Sequence, residues 1–173
     1  NGVVSGGNIT FSYPPANGDV VTCTLMSNAT CSSGNTVTSN AITTAVNPNL
    51  PVAIAINSNS GNTVCAGTAV TYTSTTMNEG TSPMFQWKVN GFSAGINTPT
   101  FNYTPVNGDN ITCILTSNAT CATGSPALSN VVTMAVNPNL PVSLSIVASA
   151  STVCDGTPVN FTATAINGGS TPS

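Results

Sequence analysis

Apolar and polar residues alternate along several short stretches of the chain, with turn-forming residues between them. The pattern is clearest at residues 52–56, 69–74, 84–89 and 111–115. A period of two with many β-branched residues predicts strands, because successive side chains of a strand point to opposite faces of its sheet. No stretch has the period of a helix. The sequence therefore predicts an all-β fold with no helices.

One segment of the chain recurs letter for letter. Residues 45–52 and residues 135–142 both read Ala-Val-Asn-Pro-Asn-Leu-Pro-Val, and most positions around them are also identical. A repeat of about 90 residues has the size of one small β-sandwich. Recent duplication of such a module explains the recurrence and predicts a tandem array.

The recurrence divides the chain into three parts. Residues 1–47 are predicted to be the C-terminal part of one repeat, residues 48–137 a complete repeat, and residues 138–173 the N-terminal part of the next. Neither outer part contains a counterpart of the predicted strand at residues 84–89. We therefore expect the chain to be a segment of a longer array.

Each junction between repeats carries two prolines. They are Pro48 and Pro51 at the first junction, and Pro138 and Pro141 at the second. Proline has a fixed φ and no N–H to give to a ladder, so these residues predict a stiff linker that stays out of the sheets. Consecutive modules would then stack end to end in a reproducible orientation.

Charge and histidine are nearly absent from the composition. Charged residues make up 3% of the chain, which has 1 basic residue among Lys and Arg and 0 histidines. Such a surface cannot neutralise several phosphates, which excludes nucleic acid and anionic membranes as partners. No apolar stretch approaches the roughly 18 residues of a membrane span, so no membrane insertion is predicted.

The same composition argues against catalysis. Without histidine no Ser-His-Asp or Cys-His set can exist, and the acids are too scattered to form an acid–base pair. Asp19 and Asp109 each follow Asn-Gly in a predicted turn. We expect their carboxylates to accept hydrogen bonds from the backbone of the turn rather than to bind calcium. Calcium needs six or more oxygen ligands, and no CxxC pair is present to begin a zinc site. We predict neither an enzyme nor a bound cofactor or metal.

Four motifs of the complete repeat together resemble a known family. They are Val64-Cys-Ala-Gly67, Gln86-Trp-Lys-Val-Asn-Gly91, Asn107-Gly-Asp109 with Cys113, and Ser117-Asn-Ala-Thr-Cys121. The set is similar to the Ig-like/PKD-like tandem repeats of very large cell-surface and secreted proteins of Bacteroidetes, often associated with gliding motility and type IX secretion. The resemblance implies tandem immunoglobulin-like β-sandwiches with seven strands in each module.

An immunoglobulin-like module would have a particular core. Trp87 in the third strand would be its central residue, packed with Tyr72, Cys113 and Leu115. A sugar-stacking role for Trp87 is the less favoured alternative. Ile111 stands where antibody-type domains have a corner tyrosine, so we expect that tyrosine lock to be absent.

The cysteines follow the repeat, with Cys23 matching Cys113, Cys31 matching Cys121, and Cys65 matching Cys154. Disulfides in an oxidising, extracellular setting are preferred to free thiols. The first choice pairs Cys113 with Cys121, and by repetition Cys23 with Cys31, across a fold-back of the chain. The rival joins Cys65 or Cys154 to the cysteine of the following module, in the loop between its sixth and seventh strands.

These features predict a structural repeat of a long extracellular or cell-surface fibre, filament or stalk, with adhesion as an added role. The predicted partners are neighbouring repeats and other copies of the protein, because uncharged strand edges favour association. One alternative is an adhesin module that binds glycans or surfaces through residues 27–34 and 117–126. Another is a spacer attached to an enzyme domain outside this segment.

Overall fold

The computed structural model describes residues 9–34 and 36–171, which form strands β1 to β18 and no helix. The predicted all-β class is confirmed for this part of the chain. Predictions that involve residues 1–8, 35 and 172–173 lie outside the described residues. No helix of the described part is long and apolar enough to cross a membrane.

The first part of the chain forms four short strands. They are β1 (Val20–Val21), β2 (Thr24–Met26), β3 (Thr36–Thr38) and β4 (Ile42–Thr43). β1 pairs with β4 and β2 pairs with β3, both antiparallel. Residues 11–13 form no strand, although their counterparts at residues 101–103 lie in a strand. Instead the rings of Phe11 and Tyr13 stack with their centroids 5.2 Å apart.

The middle part contains the next twelve strands. They are β5 (Leu50–Pro51), β6 (Ala53–Ser58), β7 (Thr63–Cys65), β8 (Val70–Met77), β9 (Met84–Val89), β10 (Phe92–Ala94), β11 (Thr100–Tyr103), β12 (Asn110–Thr116), β13 (Ala122–Thr123), β14 (Ala127–Leu128), β15 (Val132–Thr133) and β16 (Ala135–Asn137). β9 has the predicted bounds, and β6, β8 and β12 lie at the predicted first, second and sixth strands. The apolar residues near the end of the middle part form two short strands, β15 and β16, rather than one.

Two antiparallel sheets enclose the core of the middle part. One has the order β10-β9-β12-β14, with β15 also paired to β12, and the other has the order β11-β8-β6. Within the first sheet, Trp87 of β9 lies opposite Cys113 of β12. Alternate residues of both sheets point between them, because side chains of a strand alternate between its faces. Their buried side chains form one hydrophobic cluster.

The first linker takes part in a ladder, so the prediction that its prolines would keep it out of the sheets is wrong. β5 pairs in parallel with β13. The N–H groups of Leu50 and Val52, on either side of Pro51, donate to the carbonyls of Cys121 at 3.0 Å and Thr123 at 2.9 Å. The backbone of Pro51 points away from β13, and its carbonyl accepts Asn78 Nδ2 at 2.6 Å, so the missing N–H costs no bond of the β5–β13 ladder. The other linker prolines, Pro48, Pro138 and Pro141, lie outside strands.

The third part is a two-stranded antiparallel pair, β17 (Ser143–Ala148) with β18 (Phe161–Ile166). Its register places Ile146 opposite Ala163. In the middle part, β6 and β8 pair in the same way, with Ile56 opposite Ser74. β17 and β18 therefore correspond to β6 and β8 of the preceding repeat.

Candidate functional site

A buried carboxylate, Asp109, lies in the turn between β11 and β12 and is 3% exposed. It accepts hydrogen bonds from Tyr103 Oη at 3.0 Å, Asn90 Nδ2 at 2.8 Å and the Val106 N–H at 2.9 Å. Burial opposes ionisation of the group, but the three donors outweigh it and hold the pKa of Asp109 below its usual value. The carboxylate is thus saturated by donors of its own module.

The first part of the chain repeats this turn. Asp19 accepts hydrogen bonds from Tyr13 Oη at 3.4 Å and from the Ala16 N–H at 2.9 Å. The sequence indicated the backbone bond of the Asn-Gly-Asp turn but not the tyrosine. A tyrosine–aspartate hydrogen bond therefore recurs at the same turn in both parts of the chain.

The four residues predicted for the core are all buried without exposed surface, namely Tyr72, Trp87, Cys113 and Leu115. The indole N–H of Trp87 donates to the Thr98 carbonyl at 2.9 Å. Its ring also stacks on Phe101, with 5.5 Å between the centroids. In this conformation Trp87 presents no face to a sugar.

Tyr72 has a hydroxyl group without a partner. Its Oη is buried and makes no hydrogen bond. Burial, followed by the nearby charge of Asp109, raises the pKa of Tyr72 to about 12. The matching residue of the next repeat is Phe161, which has no hydroxyl. The Tyr72 side chain therefore serves the core through its ring.

All six cysteines lie in the described part, and all are free thiols. The predicted pairing of Cys113 with Cys121 is wrong. Strand alternation points Cys113 into the core beside Trp87, whereas Cys121 is exposed in the loop after β12. The Cys113 thiol contacts the Ile114 carbonyl at 3.8 Å, and burial raises its pKa to about 11. This thiol is a core side chain.

The other cysteines are exposed. The pairing predicted by repetition, Cys23 with Cys31, is also wrong, because both thiols are free. Cys23 lies between β1 and β2, where its N–H donates to Ser39 Oγ, while Cys31 occupies a turn at φ 65°. Cys65 and Cys154 are free as well. The bridge proposed for them needs a cysteine of the following module after β18, and no cysteine follows Cys154 in this sequence. That bridge stays a prediction.

The loop proposed for glycan recognition, residues 117–126, uses polar groups internally. Ser117 Oγ donates to the Asn78 carbonyl at 2.7 Å, and Asn118 Oδ1 accepts the Ser82 N–H at 3.0 Å. Gly80, at φ 85°, lies so close to Asn118 that any side chain there would collide with it. These contacts fix the loop against the neighbouring residues 78–82.

Asn130, which lies between β14 and β15, has a structural role that no local sequence pattern predicted. Its Oδ1 accepts the Ile56 N–H at 2.8 Å, and its Nδ2 donates to the Ile56 carbonyl at 3.0 Å. We call this pair of bonds the asparagine clamp, because it fastens β6 of one sheet to the edge of the other. Asn40 occupies the same position in the first part, and the recurring Ser-Asn dipeptide was the signal available.

Two surface depressions accompany the middle module. One of about 360 Å³ is lined by residues such as Phe85, Ser93 and Ile114, and one of about 400 Å³ by residues such as Val106 and Pro138. No ionisable side chain lines either depression. The described residues also contain no group of three side chains able to hold a metal ion. Both depressions offer apolar and amide contacts.

The outer parts expose apolar side chains that the middle module buries. Leu25 is 64% exposed, whereas its counterpart Leu115 is 0% exposed. Ile146 is 67% exposed, whereas its counterpart Ile56 is 5% exposed. Equivalent apolar side chains therefore differ in exposure between the outer parts and the middle part.

Comparison with models of known protein families and with curated proteins finds no match. The function has to be inferred from the geometry of the chain itself.

Proposed function

We propose that this chain is a structural, non-catalytic segment of a long extracellular or cell-surface fibre, filament or stalk. Its units are tandem Ig-like β-sandwiches, and its partners are neighbouring repeats and other copies of the protein. The observation that carries the proposal is the recurrence of hydrogen bonds between equivalent residues, one set shared by the first and middle parts and another by the middle and third parts.

The first and middle parts share the bonds that hold their strand ends. The Cys23 N–H donates to Ser39 Oγ at 2.9 Å, and the Cys113 N–H donates to Ser129 Oγ at 2.9 Å. The return bonds, from the serine N–H to the cysteine carbonyl, measure 2.8 and 2.9 Å. The same serine therefore fixes the same strand in both repeats.

The middle and third parts share the bond that holds their first strand. Asn78 Nδ2 donates to the Pro51 carbonyl at 2.6 Å, and Asn167 Nδ2 donates to the Pro141 carbonyl at 2.8 Å. Both asparagines have positive φ, at 55° and 58°. An asparagine tolerates this conformation better than most residues, which gives the position a backbone reason for its identity.

The residues that stay the same through the repeats are thus the ones that fix turns and strand ends. A tandem array in which each module repeats the same scaffold suits a load-bearing or spacing role. The sheet orders support an Ig-like sandwich, with β6, β8 and β11 in one sheet and β9, β10, β12 and a divided β14–β15 strand in the other. With β14 and β15 counted as one divided strand, these two sheets contain seven strands, a number that supports the proposal of an Ig-like module.

The extracellular setting is supported by the surface chemistry and by the resemblance to Bacteroidetes surface repeats. It receives no support from disulfides, since the thiols are free. Charged residues at 3% of the chain leave strand edges without the lysines that normally prevent pairing with other chains. A protein that works alone in solution needs such protection, whereas a fibre component uses the edges for lateral contact.

Immunogold electron microscopy of intact producing cells, with an antibody against this chain, tests the proposal. We expect gold particles in rows along extended structures outside the cell. Label confined to the cytoplasm would contradict the proposal. Saturable binding of the purified chain to a defined glycan, reduced by substitutions in residues 117–126, would favour the adhesin alternative.

A further inference from the structure

We propose that the depression of about 360 Å³ on the middle module binds a neutral sugar unit of a glycan. We call it the sheet-face site, and Gln86, Ser93, Asn97 and Ile114 are among the residues that line it. Its volume lies within the range of small-ligand sites, about 300–1,000 Å³. Glycan binding is a second role beside the proposed structural one and does not depend on it.

The floor of the sheet-face site is the outer surface of β9 and β12. Trp87 and Cys113 are buried in the core, so their neighbours Gln86 and Ile114 point to the opposite side of the same strands. The register places Gln86 directly opposite Ile114, and both line the site. The floor therefore belongs to a sheet of the complete middle module and includes no residue of the outer parts.

The wall of the site is formed by residues 93–97, where the chain leaves the sheet. β10 ends one residue before Gly95, which has a φ of 70°. A side chain at Gly95 would collide with the ring of Phe101, so this turn requires glycine. Asn97 then takes the place of β10 beside β9, because its Oδ1 accepts the Phe85 N–H at 2.6 Å. The depression lies between this turn and the floor.

The site contains amide and hydroxyl groups that are available to a ligand. Gln86 Nε2 donates to Ser93 Oγ at 3.0 Å, and the Gln86 amide oxygen has no partner among the described residues. Asn97 uses its oxygen on the backbone of β9, and its NH₂ group makes no bond in the described part. Both amides are thus held at one end and free at the other. Ser93 Oγ can still donate its own hydrogen.

This chemistry fits a neutral sugar. A pyranose ring carries hydroxyl groups that donate and accept, and its C–H faces pack on apolar side chains such as Met84, Ile96 and Ile114 of the site. No side chain that lines the site is ionisable, so a charged ligand would lose hydration without gaining an ion pair. Lys88 lies opposite Ser93 in the β9–β10 pair but does not line the site.

The equivalent surface in the first part of the chain is polar. Ile114 and Leu128 lie opposite each other on the middle module, and their counterparts are Thr24 and Thr38. These threonines are also paired, and their hydroxyl oxygens lie 3.3 Å apart in a hydrogen bond. The bonds that fix the strand ends are the same in the two parts, whereas this outward pair differs. We therefore expect the sugar site in the middle repeat and not in the first.

Nuclear magnetic resonance of the whole ¹⁵N-labelled chain tests the site. The titrants are neutral oligosaccharides of glucose, galactose, mannose and N-acetylglucosamine, and the signals are the side-chain NH₂ groups. At least one of these sugars should bind saturably and shift the NH₂ resonances of Gln86 and Asn97 along one titration curve. The NH₂ resonance of Asn130, held by the asparagine clamp, and that of Asn118, in the loop of the adhesin alternative, should stay unchanged.

Matched variants test the two kinds of contact. Gln86→Ala removes a hydrogen-bonding group and should weaken binding about fivefold. Ile114→Thr introduces the residue of the first part and should weaken binding about threefold, because apolar contact is lost. Lys88→Gln, beside the site, and Thr73→Ala, on the outer side of the other sheet, should leave the affinity unchanged. Circular dichroism checks that each variant retains its β structure.

Three results would overturn the proposal. The first is the absence of saturable binding to every one of these sugars. The second is a shift of Asn118 without shifts of Gln86 and Asn97, which would locate the sugar in the loop at residues 117–126. The third is loss of binding in Lys88→Gln, which would show that recognition depends on the cation. None of these results would touch the proposed structural role, which the labelling of cells tests separately.

Discussion

Tyr103 and Asp109 are joined by a 3.0 Å hydrogen bond that ties the end of β11 to the turn before β12, and Tyr13 and Asp19 repeat it at 3.4 Å. We call this contact the tyrosine–aspartate lock. Because the Asp109 carboxylate is buried and fully paired, its charge contributes to the stability of the middle module.

The Asp109 lock predicts a loss of stability in acid. The folded-state pKa of Asp109 lies below the model-compound value of 3.8, so its stabilising contribution is complete above that value and is lost as the pH falls through the folded-state pKa. At neutral pH, Asp109→Asn should lower the free energy of unfolding by about 1–3 kcal/mol. At an acidic pH, as the carboxylate becomes protonated in the folded state, the difference between the two proteins should shrink. Urea denaturation followed by circular dichroism measures both, and an equal difference at the two pH values would contradict the assignment.

Tyr72→Phe is predicted to raise the free energy of unfolding by about 1 kcal/mol, because it removes a buried hydroxyl without a partner. The next repeat already has Phe161 at this position. Tyr103→Phe is the matched control. It deletes a hydroxyl that does hydrogen-bond, and it should lower the free energy by about 1–2 kcal/mol. Equal losses in the two variants would show that the Tyr72 hydroxyl has a partner after all.

Asn130→Ala is predicted to lower the free energy of unfolding by about 2 kcal/mol, since it removes both bonds of the asparagine clamp on Ile56. Asn40→Ala is the internal control, because the matching side chain makes no such bond in the single chain. Thermal unfolding of dilute protein should therefore separate the two variants clearly. A small effect of Asn130→Ala would mean that the two sheets are held together by apolar packing alone.

Thiol titration under native conditions tests the cysteine assignments. In dilute protein, every exposed cysteine should react rapidly with an aromatic disulfide reagent, which is followed by its colour. Cys113 should react only after unfolding, because it is buried and its pKa is raised to about 11. Cys113→Ala followed by the same titration identifies the slow thiol. Failure of Cys121 to react before reduction would restore the disulfide that the sequence suggested.

Much of the fold follows from local pattern. The alternation at residues 84–89 predicted β9 with its observed bounds, and the third-strand tryptophan predicted the centre of the core. The alternation along residues 111–115 places Cys113 on the same side of β12 as Ile111 and Leu115. The alternation thus predicts that the Cys113 side chain points into the core. The short sequence separation of Cys113 and Cys121 favoured a disulfide, but it carries no information on side-chain direction, and the two side chains point to different environments.

Other features depend on contacts between distant segments and have no local signature. The missing N–H of Pro51 predicts that it lies outside any ladder. Whether a strand tolerates a proline depends, however, on which side of the strand is paired. The partner strand β13 lies more than 70 residues away, so the local sequence does not indicate that side. Asn130 reaches Ile56 across a similar separation, |i−j| 74. A one-dimensional pattern indicates which faces are apolar, but not which backbone groups a distant amide will meet.

Hydrogen exchange of the intact chain tests most directly the central claim, that the middle part encloses a buried core of its own, whereas the described strands of the outer parts keep their apolar side chains exposed. We expect strong protection in β6, β8, β9 and β12, and weak protection in β1 to β4, β17 and β18. Uniform protection of all three parts in dilute protein, or a middle module that exchanges as fast as its neighbours, would contradict the account.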